Sequence, residues 1–76
     1  MRITVELFGF PAGYGPGGRE AFPLEIDGGA TVGLLIERLA LPGGRLMVLI
    51  NGQRADAGHP LNDGDEVFIF IPAEGG

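Results

Sequence analysis

The last two residues of the sequence, Gly75 and Gly76, carry no side chain and follow the densest apolar run of the chain, residues 67–72. Because glycine has no Cβ, such a backbone can enter a narrow channel and bend without steric cost. The terminal carboxylate of Gly76 would then stand on a thin stalk, and it is the strongest candidate in the chain for a reacting group. The alternative is that the pair is incidental in a chain with 15 glycines among 76 residues.

The remaining residue types exclude several other kinds of site. Without cysteine the chain has no disulfide, no thiolate metal ligand and no thiol nucleophile. The single histidine, His59, has no carboxylates spaced to complete a metal site with it. The glycine-rich segment at residues 15–18 lacks the Lys-Ser/Thr ending of a phosphate-binding loop. We therefore expect no bound cofactor or metal.

Charge and hydropathy limit the partners and the compartment. The formal net charge of −5 disfavours nucleic acid, whose phosphates require a basic surface. It favours a basic protein partner, unless it serves solubility alone. No apolar run approaches the length of a membrane span, and no charged leader precedes an apolar segment. We expect a cytoplasmic protein that does not bind membranes.

Alternation of polar and apolar residues predicts two strands in the first third of the chain, at residues 2–7 and 20–27. Pro23 within the second strand indicates an edge position, because proline cannot donate to a ladder. The segment from Phe8 to Arg19 is rich in glycine and proline, and we expect a loop there, glycine-rich over residues 9–19.

An apolar stripe then predicts one short helix, because its members recur at the spacing of one helical face. The stripe consists of Val32, Leu35, Ile36 and Leu39. Thr31 is suited to cap its start, and the segment 41–44, with proline and two glycines, is expected to end it.

Three further strands are predicted at residues 46–50, 54–56 and 66–71, with turns at Asn51-Gly52 and at residues 62–65. A hairpin, a crossing helix and further strands is the element order of a β-grasp (ubiquitin-like) α+β fold. We expect a mixed sheet of four to five strands with one main helix on one face. The last strand is apolar at both its odd-numbered and its even-numbered residues. We therefore place it in the centre of the sheet, between the first strand and residues 46–50. Residues 1–76 form a single domain in this prediction, with 71–76 as a flexible tail.

The last strand also predicts a surface for a partner. If the helix covers Val67, Ile69 and Ile71, then Phe68 and Phe70 point outward on the other face. The neighbouring strand would add Leu49 and Met47, and the tail would add Pro72 and Glu74, to a partner-binding surface. In the inverted arrangement the phenylalanines would form the core instead.

Residues 59–67, His-Pro-Leu-Asn-Asp-Gly-Asp-Glu-Val, followed by Phe70, Pro72 and Gly75-Gly76, resemble the MoaD-type small subunit of molybdopterin synthase. Thr31-Val32 at the start of the helix and Ile50-Asn51 at the end of the middle strand also fit this pattern. ThiS-type sulfur carriers of thiamin synthesis share the Asp-Gly-Asp sequence and the final Gly-Gly.

The resemblance implies a mechanism for the tail. A MoeB-like adenylating enzyme would use ATP to convert the Gly76 carboxylate to an acyl-adenylate, and a sulfur donor would replace AMP to give a thiocarboxylate. A MoaE-like large subunit would then accept the sulfur for molybdopterin synthesis. The chain itself would be a sulfur-carrier subunit and would not be catalytic.

Three alternatives remain open, and the first two use the same activated tail. The tail could deliver sulfur for thiamin synthesis, or Gly76 could form an isopeptide bond to target lysines as in a ubiquitin-like modifier. The chain could also be a plain interaction module. Asp63 and Asp65 are interpreted as residues that form a turn, with contact to a basic partner as the alternative.

Overall fold

The computed structural model describes residues 1–10, 20–41 and 45–72, and these form five strands and one helix. The elements are β1 (Arg2–Phe8), β2 (Ala21–Glu25), α1 (Val32–Arg38), β3 (Met47–Ile50), β4 (Gln53–Arg54) and β5 (Glu66–Phe70). Their order confirms the predicted sequence of elements. Within the described residues, no helix is long and apolar enough to cross a membrane.

The five strands form one mixed sheet in the order β2-β1-β5-β3-β4. β5 lies at the centre, parallel to β1 and antiparallel to β3, as its apolar character on both faces predicts. β2 lies at one edge, where Pro23 needs no ladder hydrogen bond on its outer side.

One hydrophobic core lies between α1 and one face of the sheet. Val32 and Leu35 of α1 belong to the same buried cluster as Val67 and Ile69 of β5. Ile3, Val5 and Leu7 of β1 and Phe22 of β2 are buried in this cluster as well. The period-two alternation of β1 and β5 therefore leaves their even-numbered residues on the opposite face.

The helix starts and ends through specific hydrogen bonds. The Oγ1 atom of Thr31 accepts a hydrogen bond from the Leu34 amide at 3.3 Å, which confirms the predicted N-cap. At the other end Ala40 adopts φ +53°, and its amide donates to Glu37 O while the Leu41 amide donates to Ile36 O. This pair of bonds is a Schellman motif. The helix therefore ends before residues 42–44, and these predicted stop residues lie outside the described part of the chain.

Two predicted boundaries are wrong at the end of the sheet that leads to the tail. Phe8 was expected in the loop, but it is the last residue of β1 and pairs in register with Phe70. Ile71 was expected in the core, but β5 ends at Phe70 and the Ile71 side chain is 41% exposed. β1 cannot extend further because Gly9 turns the chain at φ +80°. Ile71 therefore lies beyond the paired end of β5 and is not part of the core cluster.

The short strand also differs from its predicted position. It occupies Gln53–Arg54 instead of residues 54–56. Asn51 and Gly52 both have positive φ, 51° and 85°, so this two-residue turn brings Gln53 directly opposite Ile50. Most of the predicted loop at residues 9–19 and most of the predicted tail at 71–76 lie outside the described residues.

Candidate partner-docking face

The face of the sheet opposite α1 has apolar residues at one end and acidic residues at the other. The strand registers define three rows across this face. The rows are Phe8–Phe70–Met47, then Glu6–Phe68–Leu49, then Thr4–Glu66. The apolar end is the one from which β5 continues towards the glycines.

We call the set Phe8, Phe68, Phe70, Met47 and Leu49 the aromatic face. Phe68 is at its centre, with ring centroids 5.7 Å from Phe8 and 5.6 Å from Phe70. Both pairs meet edge-to-face, the arrangement in which the positive ring edge meets the negative ring face. The aromatic face is thus one contiguous surface.

Exposure separates the aromatic face from the core. Phe8 is 58% exposed, and Phe68, Phe70, Met47 and Leu49 are half-buried, whereas Val67 and Ile69 are fully buried. The phenylalanines therefore do not form the core, and the inverted arrangement is excluded. A binding role for these residues, and for the half-buried Pro72, stays a prediction.

Phe8 is the member of the aromatic face that sequence reasoning missed. A usable signal was present, because the polar alternation of β1 places every even residue outward and Phe8 continues it by one position. Because Gly9 and the glycine-rich segment follow directly, the predicted loop begins at Phe8, one residue too early in the chain.

The turn before β5 is held by a buried carboxylate. Asp65 is 7% exposed, and its Oδ2 accepts from the Asn62 amide at 2.8 Å while its Oδ1 accepts from Asn51 Nδ2 at 3.0 Å. The Asp63 Oδ1 accepts from the Arg2 amide at 2.7 Å. Both side chains are thus engaged within the fold, as expected of residues that form a turn. They set where β5 begins.

The segment before this turn supports the helix. His59 O accepts from the Val32 amide at 3.0 Å, and Ala57 O accepts from the Gly33 amide at 2.8 Å. The His59 side chain is exposed. Among residues 1–10, 20–41 and 45–72, no three His, Asp or Glu side chains are grouped to hold a metal ion.

Pairing stops on both sides of β5 at the same level. Phe70 is the last residue of β5 to pair with β1, through Phe8, and with β3, through Met47. Pro72 follows and has no amide hydrogen to extend either ladder. Glu74, Gly75 and Gly76 lie outside the described residues, so their roles remain predictions.

This arrangement, a mixed five-stranded sheet with a single helix on one face, is a β-grasp (ubiquitin-like) fold. The crystal structure of SAMP1 from Haloferax volcanii aligns over 100% of both chains, with a TM-score of 0.74 and 26% identity. A crystal structure of H. volcanii small archaeal modifier protein 1 aligns over 95% of this chain and 98% of that one, with a TM-score of 0.71 and 23% identity.

The family follows from the sequence. Residues 18–76 match the model of the ThiS family, and the chain therefore belongs to the ThiS family. One curated relative is the molybdopterin synthase sulfur carrier subunit of Escherichia coli K12, which is 47% identical over 38 residues. That alignment covers 50% of this chain and 47% of the relative, so the match spans about half of each protein.

Proposed function

We propose that this protein is a sulfur carrier that acts as the small subunit of a molybdopterin synthase. One observation carries the proposal: Phe68 and Phe70 of the aromatic face lie on the central strand, β5, from which the chain continues to the glycine tail. A partner that docks on Phe68 and Phe70 is therefore only a few residues from Gly76. The 47% identity to the E. coli sulfur carrier subunit supports molybdopterin over other acceptors.

The proposed activation converts a poor electrophile into a good one. A carboxylate oxygen of Gly76 attacks the α-phosphorus of ATP on a MoeB-like adenylating enzyme, and pyrophosphate leaves. A donor at the oxidation level of sulfide then attacks the acyl carbon, the bond to the phosphate oxygen breaks, and AMP leaves. The product is a C-terminal thiocarboxylate.

Sulfur delivery would follow in a MoaE-like large subunit. The thiocarboxylate sulfur attacks an electrophilic carbon of the pterin precursor, the bond from that carbon to an oxygen leaving group breaks, and water then cleaves the acyl–sulfur bond. The sulfur stays on the pterin and the carboxylate of Gly76 is restored. In this proposal the partners supply the acids, bases and phosphate-binding groups, and the carrier binds no cofactor.

The proposal assigns the carrier two parts, a docking surface and a tail. The aromatic face supplies a rigid apolar surface that loses water on docking, worth on the order of 1.5–3 kcal/mol for the exposed halves of two phenylalanine rings. The side-chain-free glycines fit a channel whose walls a Cβ would meet. Docking of the aromatic face would bring the C-terminal carboxylate to the partner's active site, so that binding energy is used to position the reacting group.

Intact-mass spectrometry tests the proposal directly. The protein is incubated with ATP, the adenylating enzyme of the same organism and a sulfur source. We expect a gain of about 16 Da, because one oxygen is replaced by sulfur. An unchanged mass with partners that load another carrier would overturn the proposal.

A second candidate function is protein modification, which the likeness to SAMP1 over the full length of both chains favours. A modifier would form larger adducts with target proteins through Gly76 in the same assay. Thiamin-type sulfur delivery would give the same 16 Da gain, and it is separated by testing which synthase, pterin or thiazole, releases the sulfur.

A further inference from the structure

We infer that the acidic end of the outer sheet face, next to the aromatic face, receives an arginine side chain of the docking partner. This inference rests on the proposed function, because it concerns the partner that binds the same face. The inference adds a description of the surface that this partner must have, which is an apolar patch with an arginine at one side.

The site is a shallow depression of about 400 Å³ across β1, β5 and β3. Phe68 and Leu49 form its apolar wall, and Glu6 and Glu66 supply two carboxylates. In the strand register Glu6 lies opposite Phe68, while Glu66 lies two residues before Phe68 on β5, on the same face. One aromatic ring is thus adjacent to both acids.

The charge of this depression is not neutralised within the described fold. Glu6 and Glu66 are exposed, and the single ion pair in residues 1–10, 20–41 and 45–72 joins Arg2 to Glu25, at 3.4 Å. Arg54 lies in the row of Phe68, but on the far side of Leu49 from Glu6. A bound cation is therefore favoured at the β1–β5 side of the depression.

The shape of the depression favours arginine over lysine. A guanidinium group is planar, so it can stack on an aromatic ring and pair with a carboxylate in the same pose. The ammonium group of lysine is a compact and strongly hydrated charge without a planar face, so it is less suited to stacking on the ring. Phe68 offers the ring, and Glu6 and Glu66 offer the carboxylates.

The first test is binding to the adenylating enzyme of the same organism. Glu6→Gln/Glu66→Gln removes both charges and keeps the side-chain shapes, and Glu37→Gln/Asp56→Asn makes the same charge change at exposed positions elsewhere. We expect the first variant to raise Kd about tenfold and to flatten the salt dependence of the association rate. The control should stay within about twofold of the wild type. Equal Kd and equal salt dependence in the two variants would overturn the inference.

A second test identifies the cation. Amide shifts of the isolated chain are followed by NMR during titration with N-acetyl-arginine amide and with N-acetyl-lysine amide. We expect shifts at Glu6 and Phe68 with the arginine compound alone, and their loss in Glu6→Gln/Glu66→Gln. Equal shifts with both compounds would overturn the assignment of arginine.

Two further outcomes distinguish failure of the arginine site from failure of the proposed docking face. If Phe70→Asp loses the enzyme while Glu6→Gln/Glu66→Gln does not, the docking face stands and the arginine site fails. If Phe70→Asp binds like the wild type, the docking face of the proposed function fails. A concentration-dependent dimer of the chain alone, abolished in Glu6→Gln/Glu66→Gln, would assign the cation to a second copy and also overturn the inference.

Discussion

Asp65 and Asn51 hold the central strand in place from two different turns. The Asp65 Oδ1 accepts from Asn51 Nδ2 at 3.0 Å, and Asn51 Oδ1 accepts from the Glu66 amide at 3.0 Å. Asn51 lies in the turn after β3 and Asp65 in the turn before β5. The pair therefore ties the end of β3 to the start of β5. It sets the register between these two strands, on which the aromatic face depends.

Replacing Asp65 should destabilise the fold. Asp65→Asn puts an amide N–H₂ where a carboxylate oxygen accepts a hydrogen bond, so a buried donor loses its partner. We expect a loss of about 2 kcal/mol in the free energy of unfolding, measured by denaturant titration. Asp56→Asn, at an exposed position, is the control and should change stability by less than about 0.5 kcal/mol. A loss equally small at Asp65 would contradict the structural role given to it.

The end of the helix offers a stabilising substitution. Ala40 holds φ +53° in the Schellman motif, a conformation that costs a residue with a Cβ about 1 kcal/mol or more. Ala40→Gly should raise the free energy of unfolding by about 0.5–1 kcal/mol, since glycine relieves this strain but gains entropy when unfolded. Ala57→Gly is the control, because Ala57 is not at positive φ and should gain nothing. A lower midpoint of thermal unfolding for Ala40→Gly would disprove the expectation.

The aromatic face should be needed for docking and not for folding. Phe68→Asp or Phe70→Asp places a charge on a half-buried outer side chain, opposite the core. We expect partner affinity to fall about 30-fold or more, as for a central residue of an interface. Calorimetric titration with the large subunit measures the loss, and circular dichroism checks that the fold persists. Leu34→Asp, on the exposed side of α1, should bind normally; a Phe70→Asp protein that unfolds would refute the role of this face.

The final glycine should tolerate no side chain. Gly76→Ala adds a methyl group beside the reacting carboxylate, where the proposed channel has no room. We expect thiocarboxylate formation to slow by about 100-fold or more, because small displacements of a reacting group have effects of this size. Gly58→Ala is the control, since a Cβ there meets no atom within 4 Å. Intact-mass time courses of the two variants give the ratio, and equal rates would count against chemistry at Gly76.

The sequence predicts the fold well because its local signals agree with one another. Period-two alternation in β1, the apolar stripe of α1 and the Asn51-Gly52 turn each act over a few residues. The apolar character of both faces of β5 also predicts its central position. Alternation separates Phe68 and Phe70 from Val67 and Ile69, but it leaves open which set faces the core, and the burial of Val67 and Ile69 decides this.

The errors in strand boundaries and burial occur where a contact between residues distant in sequence determines the structure. Ile71 continues the apolar pattern of β5, but its burial depends on whether β1 extends alongside it, and Gly9 prevents this. Phe8 continues the alternation of β1 by one position, but Gly9 beside it favours a loop, and its pairing with Phe70 decides in favour of the strand. The turn at residues 62–65 is predicted, but the hydrogen bond from Asn51 Nδ2 to Asp65 joins two separate turns and has no local signal in the sequence.

The central position of β5 also has a consequence for synthesis of the protein. A nascent chain that has left the ribosome only as far as residue 65 contains the β1–β2 and β3–β4 hairpins, without the strand that joins them. The complete sheet can assemble only after residues 66–70 have emerged, so the aromatic face is the last part of the sheet to form.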